Sequence, residues 1–117
     1  MRNYCMINRL KKECIEEYTK EHENVHQSAF KGLLKEIESA GFHNMQVYVW
    51  GEYSVVTCEC DDIAEAFKEL ENKPVNVKWQ QLMGTFFADA PKFDEHAPVV
   101  KKVFDLREQM DGKLLRD

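Results

Sequence analysis

The amino-acid sequence predicts an α+β fold of the ferredoxin-like type, with the element order β-α-β-β-α-β and a four-stranded antiparallel sheet that carries helices on one face. Three observations lead to this class. A long segment with apolar residues at helical spacing follows a first strand, a tight turn joins two further strands, and a second helix precedes a last strand. A chain of 117 residues has room for one hydrophobic core, so residues 1–117 are expected to form a single domain.

The first half of the chain predicts one strand and one long helix. Residues 3–10 alternate in character and predict the first strand. Residues 12–40 contain no proline and only one glycine, and their apolar residues recur at the three- and four-residue spacing of an amphipathic helix. We therefore expect a single helix across this segment, which ends before Gly41 because glycine is common just past a helix end.

A hairpin follows, with strands at residues 45–50 and 53–60 and a tight turn at Gly51-Glu52. Tyr48 and Trp50 lie on one phase of the first of these strands, and the opposite phase is also apolar. A strand that is apolar on both phases is expected in a sheet that is covered on both faces. Helices cover one face, so the sequence predicts a homodimer in which a second copy of the chain covers Tyr48 and Trp50.

The rest of the chain predicts two helices and a last strand. Asp61-Asp62 can cap a helix at 62–71, and a shorter helix follows within residues 77–87. A polar loop then leads to a last strand at 99–106. The segment 103–117 comprises the end of that strand and a tail whose sequence has no usable pattern.

The composition is that of an ordinary globular protein, with 44% hydrophobic and 32% charged residues. The net charge of −5 comes from 21 acidic and 16 basic residues, and the basic residues form no long block. Binding to phosphate backbones needs a concentrated basic surface, so we expect no nucleic-acid partner. The N-terminal residues do not resemble a signal peptide, and no segment approaches the roughly 18 apolar residues of a membrane helix. We therefore expect a cytoplasmic protein that does not associate with membranes.

The four cysteines predict core packing rather than chemistry. Cys5, Cys14, Cys58 and Cys60 form no C-x-x-C pair. Cys58 and Cys60 are two residues apart on a predicted strand, so their side chains point to the same face. In the cytoplasm these thiols are expected to stay reduced.

The segment HENVH fits the zinc-peptidase pattern H-E-x-x-H through His22, Glu23 and His26. Such a site also needs a third ligand. The extended form of the motif requires glycine and histidine where this chain has Ala29 and Gly32. Acidic residues farther along the predicted helix begin about 15 Å beyond the second histidine, too far to complete a tetrahedron. The sequence therefore predicts no metal site.

The helical spacing places His22 on the face that packs toward the sheet, whereas Glu23 falls toward the polar side. Two interpretations of His22 remain open at this point. It is either a core histidine satisfied by one hydrogen bond, or a general acid-base in a pocket between helix and sheet. The residues that share its face are Tyr18, Val25, Ala29 and Leu33.

Over residues 3–106 the chain resembles the L-rhamnose mutarotase family. The resemblance implies a homodimer of the dimeric α+β barrel type, which agrees with the fold predicted above. It also implies an isomerase that interconverts the α and β anomers of a deoxyhexose and uses no cofactor. The residues that carry the resemblance are Glu17-Tyr18 with His22, the run Ala40-Gly41-Phe42-His43-Asn44, Glu59, and Pro74 followed by Lys78-Trp79 and Met83.

The resemblance implies that His22 is the catalytic acid and that Tyr18 and Trp79 contact the sugar. These residue types suit mutarotation, in which one group protonates the ring oxygen while another removes the proton of the anomeric hydroxyl. An indole offers an apolar plane to the C–H face of a pyranose, and a phenol can orient a sugar hydroxyl.

Three positions of the expected sugar site depart from the family pattern. Met45 and Gln80 stand where members of the family often have a tyrosine and a second tryptophan. His26 replaces an aromatic residue and is either an auxiliary acid-base or a polar filler. These departures leave open L-fucose or another sugar as the substrate, and also a non-catalytic sugar-binding dimer on the same fold. His43 and His96 are expected to be exposed.

Overall fold

The structure, a computed structural model, describes residues 1–91, 93, 97 and 99–112. Its helices pack on one face of an antiparallel sheet. Short 3₁₀ turns at Lys12–Cys14 and Val25–Gln27 precede and follow the first α-helix. The strands and helices are β1 (Arg2–Arg9), α1 (Ile15–Glu23), α2 (Leu33–Ser39), β2 (His43–Trp50), β3 (Tyr53–Cys60), α3 (Ile63–Leu70), α4 (Pro74–Gly84) and α5 (Leu106–Met110).

The predicted hairpin and first strand are confirmed. β2 and β3 pair antiparallel, and Gly51 between them has a φ of +57°, a left-handed conformation that glycine adopts without strain. β3 also pairs antiparallel with β1, which gives the strand order β1-β3-β2. The central strand is therefore the third in the sequence, as in the ferredoxin-like arrangement.

The predicted fourth strand at 99–106 is wrong, because among the described residues the sheet has three strands. Val99 makes one isolated bridge to Met6, and the Val100 N–H donates to the Cys5 carbonyl at 2.8 Å. The chain thus touches the free edge of β1, where a fourth strand would lie, and then turns away. Asp105 accepts a hydrogen bond from the Glu108 N–H at 3.1 Å and caps α5, and this local cap starts a helix where a strand was expected.

The single helix predicted across residues 12–40 is also wrong. The structure divides this segment into α1 and α2, which are separated by residues 24–32. The Asn24 side-chain amide donates to the Lys20 carbonyl at 2.9 Å, and Ser28 Oγ donates to the Val25 carbonyl and accepts from the Phe30 N–H. Such side-chain bonds compete with the backbone ladder of a helix. Ala29, predicted to lie on the buried face, is exposed as a result.

The two later helices are confirmed with small changes of bounds. Asp62 caps α3 by accepting hydrogen bonds from the Ala64 and Glu65 N–H groups. α4 begins at Pro74, earlier than predicted, because proline fits the first turn of a helix. His96, predicted to be exposed, and the tail from residue 113 lie outside the described residues.

The core consists of two apolar clusters on the inner face of the sheet. The first lies between the sheet and α3 and contains Met6, Ala40, Phe42, Val56, Cys58, Cys60, Ala66, Phe67 and Leu70. The second lies among α1, α2 and α4 and contains Leu10, Tyr18, Val25, Leu33, Trp79, Met83, Phe86 and Phe87. Cys58 and Cys60 pack in the core as predicted, and all four cysteines are free thiols.

Four large apolar or aromatic side chains at the hairpin end of the outer face of the sheet are uncovered in the single chain. Trp50 is 80% exposed and Tyr48 is 54% exposed, and Ile7 and Tyr53 are exposed beside them. Within the described part of the chain, no helix combines the length and the apolar character needed to cross a membrane.

Candidate active site

Two neighbouring cavities lie between α1, α2, α4 and the inner face of the sheet. The inner cavity has a volume of about 80 Å³ and lies between the two core clusters. The outer groove has a volume of about 510 Å³, within the 300–1,000 Å³ typical of small-molecule sites. Six residues line both spaces and so lie at the boundary between them: His22, Leu33, Ile37, Met45, Val47 and Trp79.

His22 is held by its own helix. Its Nδ1 lies 2.9 Å from the Tyr18 carbonyl oxygen, one turn earlier in α1. A carbonyl oxygen can only accept, so Nδ1 carries the hydrogen and the neutral ring keeps its lone pair on Nε2. The ring is stacked against Tyr18 at a centroid distance of 4.2 Å and meets Trp79 edge-on at 5.1 Å. Nε2 is therefore the nitrogen that can exchange a proton with a ligand.

Burial lowers the pKa of His22 below its ordinary value of 6.5. The hydrogen bond to the Tyr18 carbonyl and the charge of Glu21 act in the opposite direction but do not offset the loss of solvation. At neutral pH the ring is thus uncharged, and Nε2 is available as a proton acceptor.

Tyr18 is buried beneath His22, and its hydroxyl group forms a hydrogen bond with Ser54 Oγ at 2.5 Å. Burial raises the pKa of Tyr18 although the bond to Ser54 lowers it, so the phenol stays protonated. Ser54 is fully buried, and the strand register places Asn8 directly opposite it on the same face. The buried Asn8 Nδ2 finds no hydrogen-bond partner among the described residues. Two polar side chains thus lie side by side on β1 and β3, and one of them contacts Tyr18.

Trp79 is held between α1 and the segment before α2. It contacts His22 and Phe30 edge-on, with ring centroids at 5.1 and 5.2 Å, and is almost fully buried. Gln80, the next residue of α4, lines the inner cavity. The two side chains thus contribute an apolar surface and an amide to neighbouring parts of the same wall.

Met45 faces the cavities because of a bulge in β2. His43 pairs with Glu59 and Gln46 pairs with Thr57, so β2 has one residue more than β3 between these pairs. Asn44 has a φ of +48°, the left-handed conformation that is uncommon outside glycine. Such bulges re-aim the side chains beside them, and here Met45 lines both the inner cavity and the outer groove.

Glu36 joins α2 to α4. Its carboxylate accepts hydrogen bonds from the Asn76 N–H at 2.7 Å and the Val75 N–H at 3.0 Å, in the first turn of α4. A carboxylate at this position satisfies free N–H groups and interacts favourably with the helix dipole. The contact fixes the helix that carries Trp79 against the helix that carries Leu33.

Five of the six residues proposed for the site from the sequence line the inner cavity: Tyr18, His22, Met45, Trp79 and Gln80. Ser54, Asn76 and Glu36 were not predicted. The one available signal was Ser54, a polar residue on the inner phase of an otherwise apolar strand. Glu36 and Asn76 are forty residues apart, and their contact has no local sequence signature.

The sixth proposed residue, His26, lies elsewhere. It is exposed, its Nε2 is 2.9 Å from Gln27 Nε2, and it lines neither cavity. α1 ends at Glu23, so His22 and His26 do not occupy successive turns of one helix as the H-E-x-x-H pattern requires. Among the residues that the structure describes, no three His, Cys, Asp or Glu side chains are grouped so that they could hold a metal ion. His43 is exposed, as predicted.

Comparisons with known proteins identify the family from the sequence and a similar fold from a solved structure. A family model described as L-rhamnose mutarotase matches residues 3–106. A similar solved structure is that of the L-rhamnose mutarotase of Formosa agariphila, with a TM-score of 0.63 and 14% sequence identity over 90% of this chain and 98% of that one. No curated protein matches the sequence. At this identity the structural likeness concerns the fold, whereas the family match covers nearly the whole chain.

Proposed function

The chain belongs to the L-rhamnose mutarotase family of isomerases, and we propose that it interconverts the α and β anomers of a deoxyhexose such as L-rhamnose. The observation that carries this proposal is the position of His22. His22, whose Nε2 keeps the lone pair of the neutral ring, lines both the inner cavity and the groove of about 510 Å³. A pyranose in this groove would present its anomeric carbon to an uncharged imidazole.

Mutarotation consists of two proton transfers and the reversible breaking of one C–O bond. In the proposed cycle, neutral His22 Nε2 removes the proton of the anomeric hydroxyl, and the C1–ring-oxygen bond breaks to give the open-chain aldehyde. The imidazolium formed in this way then acts as the general acid and protonates the ring oxygen. Rotation about the C1–C2 bond and the reverse steps give the other anomer. One imidazole suffices because both oxygens are bonded to the same carbon.

The walls of the site suit a sugar that carries a methyl group. Trp79 provides an aromatic surface for C–H groups, and Met45 provides a flexible apolar surface opposite, so we assign both to substrate binding. Gln80 is proposed to contact a sugar hydroxyl. Tyr18 is proposed to contact the sugar through its ring, because its hydroxyl already has Ser54 as a partner. His26 receives no role, because it lies outside both cavities.

We also propose that the active form is a homodimer. The exposed aromatic residues Tyr48, Trp50 and Tyr53 form a continuous apolar surface on the outer face of the sheet with Ile7. Exposed apolar patches of this kind mark protein interfaces. The sheet face is also the one that a second copy covers in the dimeric α+β barrel that the sequence resembles.

The proposal is tested by NMR measurement of anomeric exchange with L-rhamnose and L-fucose. Wild type is expected to accelerate exchange, and His22→Ala to lower the rate about 10²- to 10⁴-fold, the usual contribution of a positioned acid-base. His26→Ala is the matched control, since it removes the exposed histidine of the same motif and should leave the rate unchanged. Equal rates for His22→Ala and wild type would overturn the assignment of His22.

A sugar-binding protein without catalysis is the second candidate. Met45 and Gln80 replace side chains that the family often uses in the sugar site, and this difference favours it. Sugar binding detected by saturation-transfer NMR, without accelerated exchange of either sugar, would support this candidate over the mutarotase. Faster exchange with L-fucose than with L-rhamnose would instead identify the preferred substrate.

A further inference from the structure

Asn76 is a buried polar residue in an otherwise apolar part of the site. It is 3% exposed, lies in the first turn of α4 and lines the inner cavity. Its neighbours in the wall of that cavity are mainly apolar, among them Leu70, Met83 and Phe93. A buried amide in such surroundings is costly unless its donors and acceptor are satisfied.

The donors of Asn76 have short hydrogen bonds. The backbone N–H donates to Glu36 Oε1 at 2.7 Å, and the side-chain Nδ2 donates to the Leu70 carbonyl at 3.1 Å. Since the Leu70 carbonyl can only accept, the atom that faces it must be the NH₂ group, and this fixes the orientation of the amide. Oδ1 therefore points the other way, toward Gln80.

The acceptor of Asn76 is poorly satisfied. Among the described residues its one hydrogen-bond partner is Gln80 Nε2 at 3.5 Å, beyond the 2.7–3.2 Å of a normal N–H···O bond. Gln80 lines the same cavity. A fixed acceptor thus lies beside a cavity with only a weak partner, which is the arrangement expected of a group that awaits a donor from a ligand.

We propose that Asn76 is a specificity-determining residue, whose Oδ1 accepts a hydrogen bond from a ring hydroxyl of the sugar. This inference rests on the proposed mutarotase function and extends it. His22 lines both cavities, whereas Asn76 lines only the inner one. The proposal assigns to Asn76 a hydroxyl other than the anomeric hydroxyl, which has to reach His22.

The proposed contact makes the enzyme select for a hydroxyl and not only for shape. A sugar that lacks this hydroxyl leaves Oδ1 without a good donor in an apolar cavity. Sites built in this way reject the deoxy analogue more strongly than apolar pockets reject a change of one methylene. Gln80 is too distant to replace the missing donor without moving.

The test measures anomeric exchange by NMR with L-rhamnose and its 2-, 3- and 4-deoxy derivatives. Wild type is expected to discriminate against one of the three by about 10- to 100-fold in kcat/KM. Asn76→Ala should lower kcat/KM by a similar factor for every sugar that carries the contacted hydroxyl, and by less than about 3-fold for the analogue that lacks it. Asn72→Ala, which removes an exposed asparagine four residues earlier, is the matched control and should leave all four values unchanged.

The outcomes separate this inference from the function on which it rests. An equal loss for all sugars in Asn76→Ala would mean that Asn76 only supports the fold through Leu70, and the inference would be overturned. The inference is also overturned if wild type does not discriminate among the three deoxy sugars. This measurement uses wild type alone, so it does not depend on whether the variant folds. Absence of exchange by wild type with every sugar would reject the mutarotase function itself, and the inference with it.

Discussion

The two faces of the sheet use the same three strands in different ways. On the inner face, side chains such as Met6, Ser54 and Val56 are buried beneath the helices and support the candidate site. On the outer face, Tyr48 and Trp50 are equally apolar but exposed. Apolar character alone therefore does not determine which face of a strand forms the core. What distinguishes the inner face is that the helices cover it.

The largest effect is expected from a substitution on the inner side. Phe67 is 3% exposed and packs against Phe42 and Phe93, so Phe67→Ala should lower the free energy of unfolding by about 3–5 kcal/mol. Trp50→Ala removes a larger ring from the outer face and, at concentrations where the chain is monomeric, should cost well under about 1 kcal/mol. Urea denaturation of both variants measures the difference. Similar losses for the two would show that the faces do not differ as described.

A smaller effect is expected at the outer face, and it concerns association. Trp50→Glu places a charge in the centre of the proposed dimer interface, where tryptophans often contribute about 2 kcal/mol or more. We expect sedimentation equilibrium to show a dimer for wild type and a dissociation constant at least about 30-fold higher for the variant. The exposed Lys101→Glu is a charge-changing control away from the aromatic patch. A wild-type chain that sediments as a monomer would reject the homodimer.

The smallest effect is expected from the titration of His22 on the inner side. Its pKa is lowered by burial, so the unfolded state takes up a proton at a higher pH than the folded state. Stability should therefore fall as the pH drops from about 6.5 through the folded pKa, by an amount set by how far burial lowers that pKa. The exchange rate should fall over the same range, because the neutral ring is the proposed base.

Urea denaturation and exchange rates between about pH 5 and 8, the range in which histidine titrates, measure both effects. His22→Ala should remove this part of the stability change, whereas the exposed His43→Ala should retain it. Exchange that accelerates on acidification over this range would show that the neutral ring of His22 is not the active form.

The parts of the fold that the sequence predicted depend on local signals. The turn at Gly51, the Asp62 cap and the alternation of β3 each involve residues close together in the chain. The break after α1 was missed although its residues are also local, because the polar side chains of Asn24 and Ser28 do not interrupt an apolar periodicity. The last strand was predicted at 99–106 from a local apolar pattern, but this segment contacts β1 only through the Val99 bridge and the Val100 N–H, and Asp105 then caps α5.

The residues of the candidate site likewise include some that local sequence signals predict and some that depend on the packed structure. Tyr18 and His22 share one helix face, so their proximity could be predicted from spacing. Trp79 was predicted to contact the sugar because of the family resemblance, since its helical spacing alone is equally typical of core packing. Ser54 and Asn76 could not be predicted, because their roles depend on which elements pack against them. Periodicity places a residue on a face, but only the packed structure supplies its partner.

The Glu36 carboxylate bears on how substrate preference can evolve in this chain. α1 carries His22, whereas α4 carries side chains that are proposed to contact the sugar, among them Asn76 and Gln80. Glu36 holds α4 by two backbone N–H groups, which are present whatever the side chains on that helix. Substitutions at positions 76 and 80 can therefore alter the surface that meets the sugar while the proton-transfer group keeps its place. New substrates become accessible by point mutation, without rebuilding the catalytic machinery.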